Sequence, residues 1–197
     1  MTNNIKLQEV CKQLHIPVVG TTSWPLPIEA REILQESNPC PFTAADIDER
    51  LIGTTDFMPH SAIVCLFPYH MPHEGPTNLS RYTWATDYHL VVTDYLQRLV
   101  DELKTTAPDA SFSIHCDTSP LADRYMAYLA GLGFYGKNKC FINPTWGSYI
   151  VIGTVLTTLE FESNTPMTDT CMGCNRCITS CLGQCLDGNA FNYATCK

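Results

Sequence analysis

Six of the eleven cysteines crowd into the end of the chain: Cys171, Cys174, Cys177, Cys181, Cys185 and Cys196. The first four read Cys171-Met-Gly-Cys174-Asn-Arg-Cys177-Ile-Thr-Ser-Cys181, the spacing C-x2-C-x2-C-x3-C. A loop of that spacing wraps three soft thiolates around one iron–sulfur cubane and turns the fourth cysteine towards a second cluster. Leu182 stands where proline usually follows the run. Six thiols supply at most one complete all-cysteine [4Fe-4S] cluster. Cys171, Cys174 and Cys177 are its expected ligands, with the fourth open between Cys181, Cys185 and Cys196. A zinc knuckle is the alternative, although tetrahedral zinc more often uses two separated C-x2-C pairs. The remaining cysteines (Cys11, Cys40, Cys65, Cys116, Cys140) are scattered. An odd total and a terminal cluster argue against a disulfide framework. Cys11, Cys65 and Cys140 lie in apolar contexts and read as core residues.

Three other groups could do chemistry. Asp117 stands before Thr118-Ser119-Pro120, either as a turn or N-cap carboxylate or as an acid. Gly131, Gly133, Gly136, Lys137 and Asn138 form a turn whose backbone could approach a large flat ligand, with Lys137 available to a phosphate or an amide carbonyl. The plainer reading of that turn is a helix C-cap with Gly133 left-handed. Arg81, Tyr82, Tyr88 and His89 sit at or before a long helix, where Tyr88 could simply pack and His89 be solvated. His70 and His73 lie in a proline-bearing loop and are not expected to bind metal.

These residues need elements to hold them. Ile5, Leu7, Val10, Cys11 and Leu14 recur at helical spacing over 4–15, and the run Ile16 to Gly20 suits a strand. Prolines 25, 27, 39 and 41 leave room for a short helix near 28–36. Ser61 to Phe67 reads as a buried strand, and 85–105 as the strongest helix, with apolar residues at three- and four-residue steps. Ser111 to Cys116 alternates like a strand. Pro120 is placed to open a helix through about Leu132. Ser148 to Thr157 is a β-branched strand, and 158–170 reads as a linker. The expected organisation is an α+β domain over 1–165 and a small cysteine module over 166–197.

Hydrophobic residues make up 45% and charged residues 16%, enough apolar material for a packed core. The 20 acidic against 12 basic residues give a net charge of −8, which argues against a phosphate backbone as partner of the surface as a whole. A local basic spot could still hold a small anion. The start is polar rather than signal-like, and no apolar run is long enough to span a membrane. The expected compartment is the reducing cytoplasm.

The ordered motifs resemble the epoxyqueuosine reductase family, cobalamin-dependent iron–sulfur enzymes of queuosine synthesis. Cys116-Asp117-Thr118-Ser119-Pro120 is similar to its VDTAP-type stretch, and Ala130-Gly131-Leu132-Gly133-Phe134-Tyr135-Gly136-Lys137-Asn138 to its AGLGWIGKN-type turn. Gly147-Ser148 and Thr157 to Leu159 follow in family order, before the ferredoxin-like cysteines. Upstream, Ser80 to His89 resembles ARYA-x-G-x-DYH. The likeness is good over about 60–197 and loose over 1–59. It implies a nitroreductase-like mixed sheet flanked by helices, with a small C-terminal ferredoxin-like cysteine module. It also implies an oxidoreductase passing electrons from a [4Fe-4S] cluster to a bound cobalamin or other corrinoid, supplied by a donor such as ferredoxin or flavodoxin. Asp117 would be the proton donor. Arg81, Tyr82, Tyr88, His89, Gly131, Gly133, Gly136, Lys137, Asn138, Gly147 and Ser148 would line the corrinoid site. An iron–sulfur electron-transfer or partner-binding protein without corrinoid chemistry is the competing reading. Family members continue with the second half of a two-cluster motif and often a repeat domain that helps hold tRNA. The sequence therefore reads as a short or truncated member, and its charge counts against tRNA binding.

Overall fold

The structure is a computed structural model describing residues 3–36, 46–53, 55–72, 75, 78–168, 171–187 and 191–196. Cys40 and His73 lie outside the described residues. Helix α1 (Asn3–Gln13) leads into strand β1 (Val18–Ser23), helices α2 (Ile28–Glu36) and α3 (Ile47–Ile52), and strand β2 (Ser61–Pro68). Helix α4 (Tyr88–Thr106) crosses to β3 (Phe112–Cys116), followed by α5 (Asp123–Leu129) and a hairpin of β4 (Phe134–Tyr135) and β5 (Phe141–Ile142). Strand β6 (Ile150–Thr157) completes the main sheet, and α6 (Arg176–Thr179) lies among the terminal cysteines.

The main sheet has four strands in the order β1-β2-β6-β3. The expected mixed sheet is instead antiparallel at every ladder, with Ile63 opposite Thr21 and Val155, and Ile114 also opposite Val155. The reason is topological. The crossover through α4 does make β2 and β3 run the same way, but β6 inserts between them and opposes both.

Both faces of the sheet are covered, which is why β2 reads as a continuous apolar run rather than an alternation. Ile63, Cys65 and Val155 face α1 and α4, packing on Leu7, Cys11, Val92, Leu96 and Leu99. Ala62, Val64, Leu66 and Leu156 face the other way, onto Ala30, Leu51, Met126 and Ala127 of α2, α3 and α5. Leu96 is fully buried, so truncating it to alanine should cost about 2–5 kcal/mol. Cys11 and Cys65 are core residues as expected, whereas Cys140 is exposed, because the turn of the small hairpin carries it outward.

Three local expectations change. The helix placed at Pro120 begins at Asp123, because Asp117 takes a left-handed φ of 59° and the chain bends through 118–122 first. The left-handed glycine after α5 is Gly131 (φ 69°), not Gly133. Gly133 is required for another reason: a Cβ there would lie 2.2 Å from the Ile142 carbonyl oxygen across the hairpin. The segment read as a linker is pinned to β1, where Thr21 N–H donates to Asn164 Oδ1 at 2.8 Å.

Candidate active site

The loop after β3, helix α5 and the β4–β5 turn form one side of an open cleft of about 1210 Å³. The start of β6, Arg50 of α3, and Tyr69, Tyr82 and Tyr88 complete it. Pockets for drug-sized ligands run about 300–1,000 Å³, so this space suits a larger occupant. Its walls are rich in tyrosine, with Tyr125, Tyr128 and Tyr135 added by α5 and β4. Arg50, Arg124, Lys137 and Lys139 make it locally basic, against the acidic charge of the whole chain.

Asp117 lines the cleft. Its Oδ2 accepts a hydrogen bond of 2.5 Å from the Tyr88 hydroxyl and lies 3.5 Å from His89 Nε2. That bond to a carboxylate, followed by burial, raises the Tyr88 phenol above its ordinary pKa. The Asp117 side chain is 62% exposed. The left-handed backbone turns it out of the sheet. Burial instead acts on Asp123, which the sequence reading missed. Asp123 lines the same cleft, its Oδ1 is sealed from solvent without a hydrogen-bond partner, and its carboxyl is pushed up to about 7. Desolvation is the main cause, the nearby Asp117 charge adds to it, and Arg124 opposes it.

The other expected residues divide. Tyr82, Tyr88, Gly136 and Lys137 line the cleft; His89 borders a second pocket beyond the Asp117 loop. Arg81 braces the preceding loop through His70 Nε2 (2.6 Å) and the Met71 carbonyl (3.1 Å), and lies over the Tyr149 ring. Gly131 and Gly133 serve the chain's own packing, since a Cβ at Gly131 would meet the Thr165 carbonyl oxygen. Asn138 Oδ1 accepts from Cys140 N–H and shapes the hairpin turn. Gly147 closes the Asn143 turn by pairing with Asn143, Ser148 follows it, and neither is among the cleft walls. Arg50 and Tyr69 went unnoticed because they come from segments far in sequence from α5, and Asp123 and Arg124 because they read as ordinary first-turn charges of that helix; the tyrosines at 125 and 128, one helical turn apart, were the visible clue.

Lys137 joins the cleft to the cysteine segment. Its backbone N–H donates to Cys171 Sγ at 3.3 Å, and its Nζ donates to Asn175 Oδ1 at 2.7 Å. Its amine therefore reaches the cysteine loop. Cys181 and Cys185 form a separate pair, Sγ to Sγ 3.3 Å, and Cys185 also bonds to Cys196. Among the described residues no three such side chains already converge on a common metal position.

An antiparallel α/β fold with an acid-bearing aromatic cleft beside a thiol-rich loop defines the class. The chain is related to the epoxyqueuosine reductases. A family profile described as "Epoxyqueuosine reductase QueG, DUF1730" matches residues 57–118. The epoxyqueuosine reductase of Bacillus cereus is 38% identical over 117 residues, covering 59% of this chain and 31% of the relative. The solved epoxyqueuosine reductase from Streptococcus thermophilus superposes with a TM-score of 0.83 at 25% identity, over 100% of this chain and 57% of that one. A crystal structure of epoxyqueuosine reductase with an epoxyqueuosine-modified tRNA-Tyr stem loop gives a TM-score of 0.81 at 27% identity, over 98% of this chain and 55% of that one. The chain thus spans from about a third to just over half of these relatives. Among the described residues no helix is long and apolar enough to cross a membrane.

Proposed function

We propose that this chain carries the cleft-bearing part of an epoxyqueuosine-reductase-type oxidoreductase, acting in the cytoplasm on an epoxide in a tRNA-borne modified nucleoside. Removal of an epoxide oxygen as water, leaving an alkene, takes two electrons and two protons. The observation that carries the reading is the double contact of Lys137, which lines the cleft while its N–H meets Cys171.

The residues fit both groups that the reading requires. Cys171, Cys174 and Cys177 offer soft thiolates at cubane spacing, and an N–H bond to a cluster sulfur is a known means of tuning potential. The tyrosine-walled cleft has the size for a corrinoid, held by Tyr82, Tyr88, Gly136 and Lys137. When bound, these groups would supply single electrons and a low-valent metal centre, with a ferredoxin or flavodoxin as donor. Asp117 is the group placed to give a proton to the leaving oxygen, and Tyr88 steadies its Oδ2. The cationic lining offers a counter-charge to a phosphate, so the acidic surface as a whole does not exclude a tRNA substrate. Residues 166–197 act in this reading as the cluster segment.

Titration with cob(II)alamin, followed by absorption and electron paramagnetic resonance, tests the reading. Binding at micromolar protein is expected. No spectral change would sink it in favour of an electron-transfer or partner-binding role.

A further inference from the structure

An acid that gives up a proton in each turnover must be recharged. His89 stands beside Asp117 on the far side of its loop. Asp87 caps α4 by accepting the His89 backbone N–H at 2.9 Å, and the same Oδ1 lies 2.8 Å from His89 Nδ1. That contact places the proton on Nδ1 and aims Nε2 at Asp117 Oδ2, 3.5 Å away. The ring is further fixed by stacking on Tyr88, with centroids 4.0 Å apart. His89 borders a second pocket of about 710 Å³ with Thr93, Gln97, His115 and Thr118, while Asp117 lines the main cleft. Ser119 and Pro120 border both, so the Asp117 loop is the partition.

We propose that His89 returns a proton to Asp117, carrying it from the second pocket to the cleft; this rests on Asp117 being the proton donor of the function proposed above. Imidazolium His89 gives its Nε2 proton to the Asp117 carboxylate at Oδ2. The neutral ring keeps Nδ1–H on Asp87, and Nε2 is reloaded from water in the second pocket. No electrons move, and one proton passes from solvent to Asp117. The titratable groups facing this path are Asp87, Asp117, Tyr88, His115, Cys116 and, from α5, Asp123, whose charge couples to both Asp117 and Cys116. Burial lowers His115 and lifts the Cys116 thiol to about 11, so neither competes as a charge near neutrality. The Tyr88 phenol is raised and stays protonated. His89 is therefore a positioning and relay residue, acting through Asp117.

Long-range nitrogen–proton correlation spectra of the reduced, cofactor-free chain test this without turnover. Neutral His89 is expected in the Nδ1–H form, and Asp87→Asn should move it towards the Nε2–H form. In reconstituted protein, His89→Ala should lower steady-state turnover about tenfold or more, spare the first turnover and cob(II)alamin binding, and be rescued by imidazole in the buffer. A wild-type Nε2–H form overturns the relay, as does a His89→Ala variant cycling at the wild-type rate. So does a loss that imidazole fails to restore and that is accompanied by lost corrinoid binding. A wild type that binds no corrinoid refutes the proposed function instead, and the tautomer still decides the proton geometry at His89.

Discussion

Replacing Asp123 with asparagine should stabilise the protein, increasingly so as pH rises from about 4 to about 7. The carboxyl is raised from an ordinary 3.8 to about 7, chiefly by burial and secondly by the Asp117 charge. The folded state therefore holds an extra proton between these values, and stability falls as pH rises through that window. A rise of about three pH units at roughly 1.4 kcal/mol each makes the full penalty about 4 kcal/mol, reached above pH ~7. Asparagine keeps the side chain's shape but cannot ionise. The two proteins should unfold alike near pH 4 and diverge steadily towards pH 8. For a chain of this size about 4 kcal/mol corresponds to roughly 8–16 °C in midpoint. Thermal or urea unfolding of the reduced, cofactor-free chain across pH 4–8.5 measures it, and the difference between the proteins cancels the titrating groups that do not couple to Asp123. A difference that does not change with pH would refute the reasoning, as would an asparagine variant less stable than wild type at pH 8.

Tyr88 should ionise above the usual tyrosine range, and Asp117→Asn should bring it back down; ultraviolet pH titration against Tyr88→Phe as the blank reads this directly. Gly133→Ala should destabilise by more than about 2 kcal/mol in urea unfolding, because the new Cβ would collide with the Ile142 backbone. Anaerobic reconstitution with iron and sulfide should load at most one cubane per chain, and Cys171→Ala should lose it. Zinc retained in place of iron, with no cubane absorption, would overturn the cluster assignment.

Periodicity made the long elements legible. The apolar steps of α4 and the β-branched runs of β2 and β6 each carry many residues of signal, and all three lie where the pattern put them. Helix α3 has six residues and the β4–β5 hairpin two per strand, too few to show a period. Sheet order was hidden for a different reason. Nothing local in β6 says that it will part β2 from β3. The cleft was half legible. Tyr82, Tyr88, Asp117, Gly136 and Lys137 came from ordered motifs. Asp123 looks like an ordinary first-turn acid, and only its burial, with the Asp117 charge nearby, makes it unusual.

Helix α5 explains how the Asp117 carboxylate and the Lys137 contact with Cys171 come to flank one cleft. It has seven residues, so its ends are about 10 Å apart. The Asp117 loop enters its first turn, and the hairpin bearing Lys137 leaves shortly after its last. Met126 and Ala127 are fully buried against the sheet, which fixes the helix in rotation and depth. Gly131 then reverses the chain, and Gly133 lets the hairpin close tightly against Ile142. The result is a rigid spacer of set length. At one end a tyrosine holds a carboxylate, and beyond the other a backbone N–H meets a cysteine sulfur. Gly131 and Gly133, two of the glycines that sequence reasoning assigned to ligand contact, therefore act one step earlier, by fixing the distance between the groups that would meet the ligand.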